Sequence, residues 1–228
     1  MLGPTGTGKT TLIRALLQRR YDAGGAVAVL ATKSHDDNLT RWAREDHLKI
    51  IDAWPAPRRW WVRPPDVATP AGLIPWEHRV MVWPRPIDVP LAQIDDVQLA
   101  VLRAAITDMF WARNWCIVGE ELRELADLGL KRELVKVWTQ GRSAGLSLIG
   151  GSQRPRFIPL EAYSQASHLF MFADPDRANL DRLQELGGMN GDRLAELVVT
   201  LPAHDVLYVD ARARRVIRTR APYRKGAT

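Results

Sequence analysis

The sequence predicts an α/β fold of three layers built on a mostly parallel sheet, and three observations lead there. Eight residues near the start, Gly3-Pro4-Thr5-Gly6-Thr7-Gly8-Lys9-Thr10, place glycines at 3, 6 and 8 directly before an amphipathic segment. Short apolar runs alternate with segments of helical periodicity. One of those runs, Cys116-Ile117-Val118-Gly119, ends in two consecutive carboxylates, Glu120 and Glu121. Runs that are apolar at every position suit strands covered on both faces, and their alternation with helices is the pattern of parallel sheets.

Taken in order, residues 11–20 carry Leu12, Ile13, Leu16 and Leu17 at helical spacing, and Asp22-Ala23-Gly24-Gly25 stops them. Apolar runs at 26–31, 79–83, 115–119, 146–150 and 168–172 predict buried strands. Residues 93–113, 130–143, 159–167 and 175–186 predict the helices between them. Residues 206–209 and 216–220 flank a turn at 211–214 and predict a terminal hairpin over 206–220. One region, 53–78, breaks the rhythm. Nine of the fifteen prolines fall between Pro55 and Pro90, mixed with Trp54, Trp60, Trp61, Trp76 and Trp83, which predicts an irregular excursion. Its tryptophans covering an edge of the core is one reading. The other is a nucleic-acid contact by Arg58, Arg59 and Arg63 beside Trp60 and Trp61.

With 228 residues, 46% of them hydrophobic, the chain can bury one substantial core, so a single domain over 1–228 is the simplest count. A net charge of +6 favours a polyanionic partner, though only weakly. The lone cysteine, Cys116, excludes a disulfide framework and a thiolate metal cluster, and it fits a reducing cytoplasm. No apolar stretch reaches membrane-spanning length and no signal peptide is recognisable, so the expectation is a soluble cytoplasmic protein without a membrane segment.

The chemistry begins at the glycine-rich loop. Glycines let the backbone curl until successive N–H groups point inward at phosphate oxygens, and the helix that follows adds its positive end. This is a P-loop, and it predicts ATP held by Gly3, Pro4, Thr5, Gly6, Thr7, Gly8, Lys9, Thr10 and Thr11. Lys9 would reach the β- and γ-phosphates, and the Thr10 hydroxyl would coordinate Mg²⁺. At the tip of the 115–119 strand, Glu120 would join the magnesium shell while Glu121 orients or deprotonates water. Alternatively both are solvated glutamates at a helix start, where the dipole favours them. Aspartate is the usual residue at the first of these positions, so Glu120 is a departure.

The stretch Trp138-Thr139-Gln140-Gly141-Arg142-Ser143-Ala144-Gly145-Leu146-Ser147-Leu148-Ile149-Gly150-Gly151-Ser152-Gln153-Arg154-Pro155 resembles the FtsK/HerA family of DNA-pumping ATPases. In that family a helix ends in an arginine and small residues, and the strand after it closes on a Gln-Arg-Pro step. The resemblance runs from the P-loop to the terminal hairpin, including Ala31-Thr32-Lys33 and Val82-Trp83-Pro84, and is nearest to small versions encoded by phages and mobile elements. It implies a RecA-like domain that hydrolyses ATP to move or package double-stranded DNA, in a ring, hexameric by family likeness, with nucleotide between subunits. It implies that Gln153 senses the γ-phosphate and that Arg142 is offered to a neighbouring subunit's nucleotide. Arg142 is also readable as a helix-end cap, with Arg154 or Arg156 acting across the interface instead.

Arg154, Arg156, Arg212, Arg214, Arg215, Arg218, Arg220 and Arg224 are candidate DNA-phosphate contacts, or, for the tail, a charged hairpin face. Only Met1 and Leu2 precede Gly3, so the first strand of the sheet is expected to be missing. Two rival functions stay open: a nucleotide-binding switch with little turnover, and a small-molecule kinase.

Overall fold

The computed structural model of the chain describes residues 1–55, 61–62, 74–75, 78–185 and 190–222. Arg58, Arg59, Trp60, Arg63, Trp76 and Arg224, and with them most of the proline-tryptophan excursion, lie outside the described residues. In chain order the elements are α1 (Lys9–Asp22), β1 (Ala26–Leu30), α2 (Asp37–Glu45), β2 (Lys49–Ile51), β3 (Trp61–Val62), β4 (Ile74–Pro75), β5 (Arg79–Val82), α3 (Leu91–Ala112) and β6 (Trp115–Gly119). They continue with α4 (Leu122–Leu125), α5 (Lys131–Gln140), β7 (Ser147–Gly150), α6 (Leu160–Ser164), β8 (His168–Phe172), α7 (Arg177–Leu180), α8 (Gly191–Val199), β9 (Asp205–Asp210) and β10 (Arg215–Arg220). Two compact units result: one of Leu17–Glu120 and Glu124–Ile149, the other of Met1–Leu16, Glu121–Arg123 and Gly150–Thr228.

The first of these units is organised by a five-stranded sheet in the order β2-β5-β1-β6-β7. β1 pairs in parallel with both β5 and β6, and β2 pairs in parallel with β5. Every residue of β1 and β6 is buried, as expected for strands covered on both faces. Each buried Val, Ile or Leu there contributes about 1.5–3 kcal/mol, which is why these strands carry almost nothing else. β7 departs from expectation. Predicted as fully buried, it has an exposed Ser147 and three half-buried residues, because it is the last strand of this sheet. The register sets Leu30 beside Val82 on one side and Gly119 on the other, so the segments leaving β1, β5 and β6 emerge at one end. Gln98, buried on α3, pins that end by donating from Nε2 to the carbonyls of Thr32 (2.7 Å) and Pro84 (3.2 Å).

α2 and β2 were not predicted. Asp36 caps α2 by accepting from the N–H groups of Asn38 (2.8 Å) and Leu39 (3.2 Å), and Leu39, Trp42 and Ala43 bury its apolar stripe. Of the tryptophans assigned to cover the core, Trp83 is buried and donates to the Lys33 carbonyl at 2.5 Å, and half-buried Trp54 donates to Asp108 at 2.7 Å.

In the other unit Leu2 forms parallel bridges to both Ser152 and Met171, donating to the Phe170 carbonyl (2.8 Å) and accepting from the Phe172 N–H (2.9 Å). The position where a first strand was expected to be missing is thus held by Leu2. β8, β9 and β10 form an antiparallel sheet with β10 at its edge among the described residues. The predicted hairpin is present one residue longer at its start, and every residue of β10 is exposed. The two helices expected on either side of β8 in the sequence are shorter, α6 and α7, the latter running on into a 3-10 turn at Asp181–Glu185. α8, capped by Asn190, was not predicted. Among the described residues no helix is long and apolar enough to cross a membrane.

Candidate nucleotide site

The glycine-rich loop folds as the sequence requires. Gly3 takes a φ of 144° and Gly8 a φ of 106°, conformations that L side chains rarely adopt. Space forbids a side chain at Gly3 as well, since a Cβ there would stand 2.8 Å from the Cβ of Phe172. The loop delivers Lys9, Thr10 and Thr11 into the first turn of α1, which contains no acidic residue. A helix start without a carboxylate in its first turn is electrostatically suited to an anion. Lys9 curls back on its own loop, and its Nζ donates to the carbonyls of Gly3 and Pro4, both at 2.6 Å. The Thr7 hydroxyl ties the turn by donating to the Pro4 carbonyl at 2.9 Å.

Within the same unit a polar chain connects this loop to Glu121. Ser152 Oγ donates to Glu121 Oε1 (2.9 Å), and the backbone N–H of Gln153 donates to Glu121 Oε2 (2.9 Å). The Gln153 side chain in turn receives the Thr5 hydroxyl on its Oε1 at 2.7 Å. Ser152 is fully buried, accepts from the Arg154 N–H (3.2 Å), and its backbone is bonded to Met1 and Gly3 on the loop's approach. Glu121, Gln153 and Thr5, three residues predicted for the site, are therefore brought together. Ser152, part of the motif but given no role from sequence, joins them; only its neighbours in the strand-tip motif signalled it.

Glu120 belongs to the other unit, where it leaves the end of β6. The residues leaving β1 at that end are polar: Thr32 Oγ1 donates to Glu124 Oε2 at 2.6 Å, and Lys33 Nζ pairs with Asp36 at 3.0 Å. Burial works to lower the Lys33 pKa, but the hydrogen bond to Asp36 and the negative charges of Glu120, Asp36 and Glu124 outweigh it and raise the value above its ordinary level. Lys33 and Glu124 were not singled out as site residues, because the approach of Lys33 to Glu120 and of Thr32 to Glu124 depends on strand register.

Arg142, expected at a helix end, lies on the 3-10 turn Gly141–Ala144 that follows α5, with its side chain exposed. In the loop unit Arg154 and Arg156 are exposed after Gln153, and Arg156 and Arg123 each stack a guanidinium on Phe157, at 4.4 and 4.5 Å from the ring centre. Cys116 is buried in β6, where burial, partly opposed by the positive charge of Arg20, pushes its thiol up to about 11. A thiol so rarely ionised is not a nucleophile.

No protein-family model matches this sequence, and no curated protein does. The fold has clear relatives among solved structures. The genome-packaging NTPase B204 of Sulfolobus turreted icosahedral virus 2, in its sulfate complex, superposes with a TM-score of 0.65 at 14% identity over 97% of this chain and 95% of that one. The same protein in complex with AMPPCP gives 0.62 at 13% identity, covering 97% and 96%. VirB4 of Thermoanaerobacter pseudethanolicus gives 0.70 at 11% identity, covering 98% and 88%. The chain thus has the α/β P-loop fold that its sequence predicted, shared along nearly its whole length with a viral packaging NTPase and with VirB4.

Proposed function

We propose that the chain is an ATPase that hydrolyses ATP to move or package double-stranded DNA, working as a ring of copies with nucleotide between them. The observation that carries the reading is the hydrogen-bonded path from the phosphate loop to a carboxylate, Thr5 to Gln153 to Glu121. A phosphate cradle alone binds nucleotide; a carboxylate oriented by the same strand tip that touches the cradle is what water attack requires. The fold shared with a genome-packaging NTPase and the run of arginines along the chain's end support the DNA partner.

In this reading Gly3 to Gly8 wrap the phosphates with backbone N–H groups, and Lys9 leaves the Gly3 and Pro4 carbonyls to place its charge on the terminal phosphates. Glu121 takes the proton of the attacking water while Gln153, able both to donate and to accept, registers whether the terminal phosphate is present. The Thr10 hydroxyl is a hard oxygen donor of the kind magnesium takes and would help to hold the ion, and the Glu120 carboxylate is a donor of the same kind. When bound, magnesium would offset the charge on the phosphate oxygens. Arg142 is the arginine offered to a neighbouring copy.

The decisive test is Glu121→Gln, which keeps a hydrogen-bonding side chain without a base. Nucleotide-dependent thermal stabilisation should persist while phosphate release falls by a thousandfold or so. Normal turnover would reduce Glu121 to a helix-start carboxylate. Action across subunits is tested by mixing Lys9→Ala with Arg142→Ala protein on DNA at low salt: activity should return in mixed rings, and recovery only with Arg154→Ala or Arg156→Ala would reassign the arginine.

A second reading, a nucleotide switch with little turnover, is favoured by glutamate at position 120. Steady phosphate release without an added acceptor would exclude it, and would exclude a small-molecule kinase as well.

A further inference from the structure

We propose that Ser152 is a positioning residue that sets the orientation of Glu121; this rests on the ATPase reading above. Three features of Ser152 separate it from an ordinary buried serine. It has no exposed surface, so its hydroxyl has no water to fall back on, and it spends its one proton on Glu121 Oε1 at 2.9 Å. Its backbone is fixed from both directions, its N–H donating to the Met1 carbonyl (2.9 Å) and its own carbonyl accepting from the Gly3 N–H (3.2 Å). Its oxygen also accepts from the Arg154 N–H at 3.2 Å, which settles the direction in which the hydroxyl proton points.

A glutamate side chain has three rotatable bonds, and one hydrogen bond leaves its carboxylate free to swivel. Glu121 accepts three, on both oxygens: Ser152 Oγ (2.9 Å) and the longer Arg123 N–H (3.4 Å) on Oε1, and the Gln153 N–H (2.9 Å) on Oε2. Together they fix the plane of the carboxylate. Because the Gln153 and Arg123 contacts come from the backbone, replacing those side chains by anything but proline leaves them in place; Ser152 is the side chain through which the orientation can be lost. A base misplaced by about an ångström loses on the order of a hundredfold in rate, so the orientation matters for turnover and not for nucleotide affinity.

The experiment is steady-state ATP hydrolysis by the full chain with double-stranded DNA, comparing serine and alanine at 152 with either Glu121 or Glu121→Asp. Ser152→Ala should lower kcat by about tenfold or more, with KM and ATP-dependent thermal stabilisation unchanged. In the Glu121→Asp background, where the shorter carboxylate no longer reaches Ser152, the same substitution should cost less than about twofold. Ser152→Thr, which keeps the hydroxyl, should restore most of the rate, and Ser152→Cys, of similar size but a weak donor, should behave like alanine. Should Ser152→Ala fail to fold, the cysteine variant carries the same comparison. Equal losses in both backgrounds, a raised KM at unchanged kcat, or wild-type turnover in Ser152→Ala would overturn the proposal while leaving the ATPase reading intact. An unsubstituted chain that binds ATP and never turns it over would overturn the ATPase reading itself, and Ser152's role with it.

Discussion

The two units of the chain are held together by different physics. In the one built on β1, β5 and β6, the central strands are specified by burial: Val27 to Leu30, Val80 to Val82 and Trp115 to Val118 are at most 2% exposed, and the strands pair in a simple parallel register. In the other, the residues of the candidate site, Lys9, Glu121, Ser152 and Gln153, are specified by hydrogen bonds to one another and to the backbone. A region specified by packing should fail by unfolding. A region specified by polar contacts should fail by losing chemistry while the fold persists.

The largest effect that tests this contrast is Ile117→Ala in β6. Ile117 is wholly buried, and removing its side chain should cost about 2–5 kcal/mol in unfolding free energy, read by denaturant titration. Binding of ATP by the protein that remains folded should be unaltered. Next is Lys9→Ala, which should leave the melting temperature of the free protein within a few degrees. What it should erase is the stabilisation by ATP, about 2.7 kcal/mol at a hundredfold excess over the dissociation constant. A full thermal shift in that variant would remove the loop from nucleotide binding.

Asp36→Ala gives a smaller effect and sharpens the contrast, since it is a polar contact inside the packed unit. Loss of the α2 cap should cost about 1 kcal/mol at neutral pH. Burial works to raise the Asp36 pKa, but the hydrogen bonds from Lys33 and from the Leu39 and Asn38 N–H groups, with the Lys33 charge, hold it below the ordinary value. A depressed carboxylate contributes stability that is present above its unfolded pKa and is lost as pH falls through the folded one. The wild-type and Asp36→Ala melting curves should therefore converge in acid. Smallest of all is Arg218→Ala. Its exposed pair with Asp205 (2.8 Å) should be worth less than about 0.5 kcal/mol. If Arg218 contacts DNA phosphate, the salt dependence of DNA binding should become shallower by about one ion.

The same contrast explains what was legible in the sequence. β6 and β8 are found at the residues predicted, because a wholly or largely apolar run bounded by polar residues has few alternative placements. α2 was missed although Asp36, Leu39 and Trp42 carry its cap and stripe, since charged residues between them dilute the periodicity. β2, only three residues beginning with lysine, has no signal of its own and exists because β5 offers it a partner. In the candidate site the glycine loop was readable from spacing, and Glu121 and Gln153 from motif. The part played by Ser152 was not readable. A buried hydroxyl's partner lies thirty-one positions away and is set by the fold alone.

One feature of β10 reaches beyond nucleotide chemistry. It is the edge of its sheet among the described residues, exposed along its whole length, and it carries Val216 and Ile217 at 37% and 39% exposure. An open edge of this kind is a template on which a strand from another molecule can pair. Arg215, Arg218 and Arg220 repel such a visitor when it is a second β10, since two arginine-rich strands brought together place like charges opposite one another. Salt screens that repulsion without weakening the backbone hydrogen bonds that would form. Concentrated protein in high salt should therefore scatter light before it loses any secondary structure, which makes the ionic strength of storage a determinant of solubility set by a single strand.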